Sequence, residues 1–264
     1  MRQITSLQNP HVKAAVRLRD RRHRQKQGRL LIDGARELNR ALTAGVPLVH
    51  VFVCEAFCRS EQSRAVLAAI RQSGATVYSV TETVFRKLAF GQRTDGVLAV
   101  GLAPAARLDQ IRLPELPLVA VLEGVEKPGN IGAVLRSADA AGVSAVVVVD
   151  PRTDLFNPNT IRASLGTIFS LPVAVATVAE VLDWLRCRGL RIYAARVDAP
   201  MMYTQADFRG PTAIVLGSEA AGLSGAWRGS DIVAIRLPMR GMADSLNVSA
   251  TAAVLFYEAL RQRG

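Results

Sequence analysis

Histidine is scarce in this 264-residue sequence, and the three present, His11, His23 and His50, all fall in its first fifth. A catalytic site in the second half must therefore work without imidazole, which removes Ser-His-Asp hydrolysis, Cys-His proteolysis and histidine-ligated zinc or iron chemistry from that half. Cysteine is equally rare. Cys54, Cys58 and Cys187 are odd in number and match no zinc or disulfide spacing, so buried apolar thiols in a reducing compartment are expected. No stretch approaches the roughly 18 to 20 apolar residues of a membrane span, and the hydrophobic segment Val143 to Val149 has the length of a buried strand. The basic N-terminus runs into further charge rather than the apolar core of a secretory signal, so cytoplasmic residence with no membrane partner is expected. Phosphate loops are missing too. The nearest stretch to GxxxxGK[ST], Gly124 to Asn130, has Asn where the lysine must be, and neither a GxGxxG fingerprint nor the glycine-rich turn of a Rossmann-type methyltransferase is present.

The sequence is half hydrophobic and 21% charged, enough apolar surface to offset the ordering entropy of one large or two ordinary domains. Thirty-three Lys and Arg against 22 Asp and Glu give a net charge of +11. The first 30 residues hold nine basic side chains and one acidic, +8 of that total. Such density is the footprint of a phosphate-backbone partner, although a solvated helix face would look the same.

Hydrophobic periodicity predicts two α/β regions. The first contains a helix over 34–44, a strand over 46–53, a helix over 61–73, and strands over 76–80 and 96–101. A stretch with three prolines separates it from the second, giving domains 1–103 and 118–264 joined by a linker, 104–117. In the second region strands over 118–122, 145–149, 173–176, 191–195, 212–217 and 232–237 alternate with helices over 132–141, 160–169 and 178–187. This alternation argues a mostly parallel sheet covered on both faces. A final helix over 246–262, apolar at 246, 250, 253, 254, 257 and 260, is expected to pack that stripe on the sheet.

Three segments of the second region place polar residues at turns beside buried strands, where open α/β sheets bind ligands. They are Asn130-Ile-Gly-Ala-Val-Leu-Arg136-Ser-Ala-Asp-Ala-Ala-Gly142, Ile214-Val-Leu-Gly217-Ser-Glu219-Ala-Ala-Gly222-Leu223, and Ile235-Arg-Leu237-Pro-Met239 followed by Ser245-Leu246-Asn247-Val248-Ser249. In this order and spacing they resemble the three motifs of the SpoU/TrmH family of S-adenosylmethionine-dependent RNA ribose 2′-O-methyltransferases. Asn157-Pro158, Ile161 to Gly166 and Phe169 to Pro172 resemble a further family stretch. Ile4 to Pro10, Leu31 to Gly34 and Gly96 to Val100 are similar to the family's L30e-like substrate-binding domain.

The resemblance implies an α/β chain whose C-terminal domain is a knotted, mostly parallel methyltransferase sheet, dimeric with a second copy of itself, binding S-adenosylmethionine and no metal. It implies Gly217, Leu237, Leu246 and Ser249 for the cofactor, and Asn130, Arg136, Glu219 and Asn247 for the reaction. Arg162 and the basic Arg17, Arg21 and Arg22 are substrate-contact candidates. Glu219 can equally be a structural carboxylate bonding backbone N–H groups in its own turn. Arg136 as the base for the ribose hydroxyl requires a guanidinium to lose a proton held to a pKa above ~12, so bidentate orientation of a phosphate is an equally good role. Ala220-Ala221 departs from the family, where a glycine is common, which bears on the path of that loop. Ribosomal RNA is favoured over tRNA because the L30e-like domain is more usual in ribosomal RNA enzymes. A non-catalytic RNA-binding factor is the alternative from another class, weakened by the intact set of four reaction-site side chains. A nicotinamide oxidoreductase lacks its phosphate fingerprint.

Overall fold

A computed structural model describes residues 2–90 and 95–264. Contacts divide the chain into two compact units: the chain up to Pro104 with Phe156–Ser170, and Ala105–Leu155 with Leu171–Gly264.

The first unit runs β1 (Arg2–Ile4), α1 (Pro10–Arg17), α2 (Arg21–Gln27), β2 (Arg29–Asp33), α3 (Ala35–Thr43), β3 (Leu48–Val53), α4 (Glu61–Gln72), β4 (Thr76–Val80), α5 (Glu82–Leu88) and β5 (Val97–Leu102). Its five-stranded mixed sheet has the order β1-β4-β3-β5-β2. Sequence periodicity assigns no element before residue 34, yet the capping chemistry is present there. Asn9 accepts from the His11 amide with Pro10 opening α1, and Asp20 caps α2, which Gly28 closes at φ +58°. Two residues of the basic segment belong to the fold. Arg24, 3% exposed, donates through Nη1 to the carbonyls of Leu18 (2.7 Å) and Arg19 (2.8 Å). Arg19 Nη2 donates to the carbonyls of Lys87, Leu88 and Ala89.

The rest of the chain runs β6 (Leu118–Glu123), α6 (Pro128–Ala140), β7 (Ala145–Val149), α7 (Pro158–Ala163), β8 (Val173–Ala176), α8 (Val178–Cys187), β9 (Arg191–Ala195), β10 (Met201–Met202), β11 (Thr212–Leu216), β12 (Ile232–Arg236) and α9 (Val248–Arg263). Its seven-stranded sheet has the order β10-β12-β9-β11-β6-β7-β8, and every described pair is parallel. Every residue of β6, β7 and β11 is buried, as a sheet covered on both faces requires.

Four expectations change. Residues 105–117 are not a bare connector: the Val175 amide donates to Ala106, and Ile111, 5% exposed, packs with Val119 and Trp184 in the second core. The helix expected over 160–169 breaks. It ends at Ala163, then Leu165 (φ +54°) and Gly166 (φ +85°) reverse the chain into a short 3-10 turn, Thr167–Phe169. A Cβ at Gly166 would sit 3.0 Å from the Glu37 Cα, so this segment fits against α3 only as glycine. On the last helix the stripe expected to face the sheet is outward: Leu246, Val254, Tyr257 and Leu260 are exposed, whereas Val248, Ala252, Leu255, Phe256 and Ala259 are buried. The helix is apolar on both faces, so periodicity could not tell which one the sheet takes. Finally, Cys54 is buried and Cys58 half-buried, but Cys187 is exposed at the end of α8. No described helix is long and apolar enough to cross a membrane.

Candidate functional site

The central strands β6 and β11 are paired in register to Leu122 and Leu216, and the turns that follow them build the site. After β11 the chain folds back on itself at once. Gly222 donates to the Ser218 carbonyl, the Ala221 amide donates to Ser218 Oγ, and Gly222 takes φ +65°. A Cβ at Gly217 would lie 2.3 Å from the Gly222 carbonyl carbon, so only glycine permits this return. The Ala220-Ala221 pair is accommodated because the positive φ falls on Gly222. Glu123, 7% exposed at the end of β6, closes the loop: its two carboxylate oxygens accept from the Ser224 amide and hydroxyl, each at 2.7 Å.

A cluster forms around Glu219. Lys127, just before α6, donates Nζ to Oε2 at 2.9 Å, and Asn130 in the first turn of α6 donates Nδ2 to Oε1 at 2.9 Å. Asn247, the N-cap of α9, donates to the same Oε1 and lies 3.4 Å from Asn130 Oδ1. Asn247 is aimed by Ser249, whose amide and hydroxyl both donate to Asn247 Oδ1, at 3.0 and 2.6 Å. The Lys127 hydrogen bond first, then those from the two amides, hold the Glu219 carboxyl below the usual carboxylate range despite partial desolvation. The carboxylate is thus an ionised acceptor serving side chains from two helix starts, rather than its own turn's N–H groups as the sequence allowed.

Beside this cluster opens a cleft of about 500 Å³, to whose lining Glu219, Gly217, Leu237 and Leu246 all belong. Ser249 acts one step back, through Asn247. Arg136 is exposed on α6 and makes no hydrogen bond or ion pair among the described residues, so the structure does not join it to the Glu219 cluster. Arg162 belongs to the first unit, where its charge opposes the raised pKa of Asp33. Arg17, Arg21 and Arg22 are exposed on α1 and α2.

Sequence reasoning missed Lys127, Glu123 and an Arg196–Asp198–Arg228 group in the cleft lining. Arg196 forks onto Asp198 at 2.9 and 2.6 Å, with Arg228 at 3.7 Å. The available signal was position: Glu123 ends β6 and Arg196 follows β9, at the carboxyl ends of parallel strands.

The SpoU rRNA Methylase family matches residues 117–257, and the MRM3-like substrate binding domain matches residues 9–99. A 23S rRNA (uridine(2479)-2′-O)-methyltransferase of Streptomyces viridochromogenes is 32% identical over 99% of this chain and 93% of its own. The crystal structure of an RNA 2′-O ribose methyltransferase superposes with TM-score 0.87 at 43% identity, covering 99% of both chains. An AdoMet-bound rRNA methyltransferase from Sinorhizobium meliloti superposes at 0.88 with 28% identity, covering 98% of this chain and 97% of its own. With a family match over more than half its length and a full-length relative above 30% identity, the chain belongs to the SpoU rRNA methylase family.

Proposed function

We propose that this protein transfers a methyl group from S-adenosylmethionine to a ribose 2′-hydroxyl of ribosomal RNA, most simply a 23S rRNA. The observation that carries it is the Glu219–Asn130–Asn247–Lys127 cluster beside a cleft lined by Gly217, Glu219, Leu237 and Leu246. The cleft suits the cofactor: Gly217 leaves backbone bare for close approach, Leu223, Leu237 and Leu246 offer apolar surface for an adenine, and polar groups stand at the rim. When bound, S-adenosylmethionine supplies a sulfonium-activated methyl group, so a single displacement suffices: the O–CH3 bond forms as the S–CH3 bond breaks, the demethylated thioether leaves, and the hydroxyl proton passes to water.

The chain's own residues then position the nucleophile. Asn130 and Asn247, aligned by Glu219 and Ser249, present an amide pair that can hydrogen-bond the ribose. Glu219, held below the usual carboxylate range, is a weak base and orients donors rather than taking the hydroxyl proton. Arg136, exposed and without a partner among the described residues, is available to grip a phosphate bidentately. Arg17, Arg21 and Arg22 add phosphate contacts from the first unit.

A homodimer is part of this reading. The outward stripe of Val254, Tyr257 and Leu260 on α9 is the apolar face a second copy would cover. So is a knotted path through the C-terminal loops, supported by family membership. Cytoplasmic residence accompanies an RNA substrate of this kind.

Calorimetry tests the cofactor arm. S-adenosylmethionine binds the wild type at one site per chain, and Gly217→Ala, which drives a Cβ into Gly222, weakens binding at least about tenfold. Wild-type protein that binds neither S-adenosylmethionine nor its demethylated product contradicts the proposal.

A further inference from the structure

At the rim of the first unit an aromatic array runs from core to surface. Phe52 on β3 stacks on Tyr78 of the neighbouring β4, with centroids 5.5 Å apart and planes 22° apart, and both rings are buried. Beyond Tyr78 come two half-exposed imidazoles, His11 in the first turn of α1 at 5.0 Å and His50 on β3 at 5.7 Å. The imidazoles meet edge to face, 4.9 Å apart. Strand register carries the face onward: His50 opposes Val100 on β5, and Leu102, two residues along, opposes Arg29 on β2. Leu102 is 43% exposed, an apolar residue at the open end of this face. His50 Nδ1 is buried without a hydrogen-bond partner among the described residues. Two of the sequence's three histidines therefore meet at one surface point that the reaction does not use, beside an exposed leucine and an arginine, in the unit whose first 30 residues carry +8.

We propose that His11, His50 and Leu102 form a stacking platform for an unpaired base of the RNA substrate, with Arg29 at its edge for the adjoining phosphate. Single-stranded bases are gripped in this way, on aromatic faces flanked by cations, with phosphate contacts supplying the rest of the affinity. Burial, and then the neighbouring His11 and Arg29, push His50 below the ordinary histidine range, so the ring is neutral at pH 7 and contributes a π-face rather than a charge. The platform rests on the RNA reading above and locates a contact remote in sequence from the methyl-transfer motifs.

Stacking and ion pairing respond differently to salt. A stacked base releases no counterion, so losing it lowers affinity at every salt concentration without changing the slope of log K against log salt. The test is filter binding of an unmodified 23S rRNA transcript to the full-length protein from 50 to 300 mM salt. His11→Ala/His50→Ala is expected to bind about ten times more weakly, the effect of losing one stacked base, with an unaltered slope and unaltered S-adenosylmethionine affinity. His11→Phe/His50→Phe, which keeps the rings, is expected to bind within about twofold of wild type. The single His11→Ala variant, at a helix position where alanine is well tolerated, should lose at least threefold and serves if the double variant does not fold. Wild-type affinity in the alanine variants overturns the platform. Equal weakening in the alanine and phenylalanine variants with a shallower slope also overturns it, because the imidazoles would then be acting as phosphate-binding cations. A wild type that binds S-adenosylmethionine but not the transcript overturns the RNA reading, and the platform with it.

Discussion

Asp33, which ends β2, and Glu219, in the turn after β11, belong one to each unit, and their surroundings drive them in opposite directions. Asp33, 7% exposed, accepts from the Phe90 amide at 2.6 Å, but burial dominates and pushes its carboxyl up to about 6, with Asp95 and Glu37 adding to the rise. Glu219, more open and surrounded by donors from Lys127, Asn130 and Asn247, is pulled down. The arginines divide in a similar way. In the first unit Arg19, Arg24 and Arg40 donate to neutral carbonyls, with Arg86 paired to Glu82, whereas in the second Arg107, Arg186, Arg196, Arg209 and Arg261 are matched by carboxylates and Arg263 donates to carbonyls. The first unit is thus a source of positive field, and the second is locally balanced around an aligned polar site. That is the division expected of a module that grips a polyanion and one that positions a single hydroxyl.

The largest expected effect breaks the second unit's side of this comparison. Arg136→Ala slows single-turnover methylation of bound RNA at least about 100-fold, the usual scale for losing one orienting contact, with cofactor affinity and thermal midpoint little changed. Arg136→Lys keeps the charge but loses the fork and is expected to stay well below wild type. Near-normal rates in both variants would remove Arg136 from the site.

Next in size is Asp33. Its folded-state value lies above the unfolded one, so the stability it contributes is complete below about pH 4 and is lost as pH rises through about 6. Asp33→Asn can still accept from the Phe90 amide and carries no charge. It is expected to stabilise the protein at pH 7 by about 2–3 kcal/mol and to flatten the loss between pH 4 and 6 in denaturant titrations. Unchanged pH dependence would mean that Asp33 does not titrate in that window.

The arginines of the first 30 residues sharpen the comparison within one segment. Arg24→Met removes two hydrogen bonds to carbonyls and is expected to cost about 2 kcal/mol of stability. Replacing the exposed Arg17, Arg21 and Arg22 together by Gln is expected to cost less stability than the single Arg24 change. The triple variant instead reduces the salt slope of RNA binding by about 2, near the phosphate-contact scale for single strands. An unchanged slope makes those three arginines a solvated face.

Much of this was legible in the sequence because it depends on local pattern. The strands of the second unit read as continuous apolar runs, and the turns bearing Asn130, Glu219 and Asn247 read as polar residues beside them. The remainder depends on what packs against what. Which stripe of α9 faces the sheet is not legible, because both of its faces are apolar. The break at Leu165-Gly166 depends on a close approach to α3 that no local pattern encodes. Arg24 looked like one more surface cation because a buried guanidinium and an exposed one share the same letter. Lys127 reached Glu219 across 92 positions, a pairing that only the sheet order creates.

The central claim is that the Glu219 cluster performs ribose methylation while the first unit holds the RNA. Its most direct test is single-turnover transfer of labelled methyl from S-adenosylmethionine to an unmodified 23S rRNA transcript at saturating RNA, followed by digestion to nucleosides. Wild type should place the label in one 2′-O-methylated nucleoside, Glu219→Ala should lose at least about 100-fold in rate, and the Arg17/Arg21/Arg22→Gln variant should keep its rate once RNA is saturating. Label on a base rather than a ribose, or a Glu219→Ala variant as fast as wild type, would contradict the account.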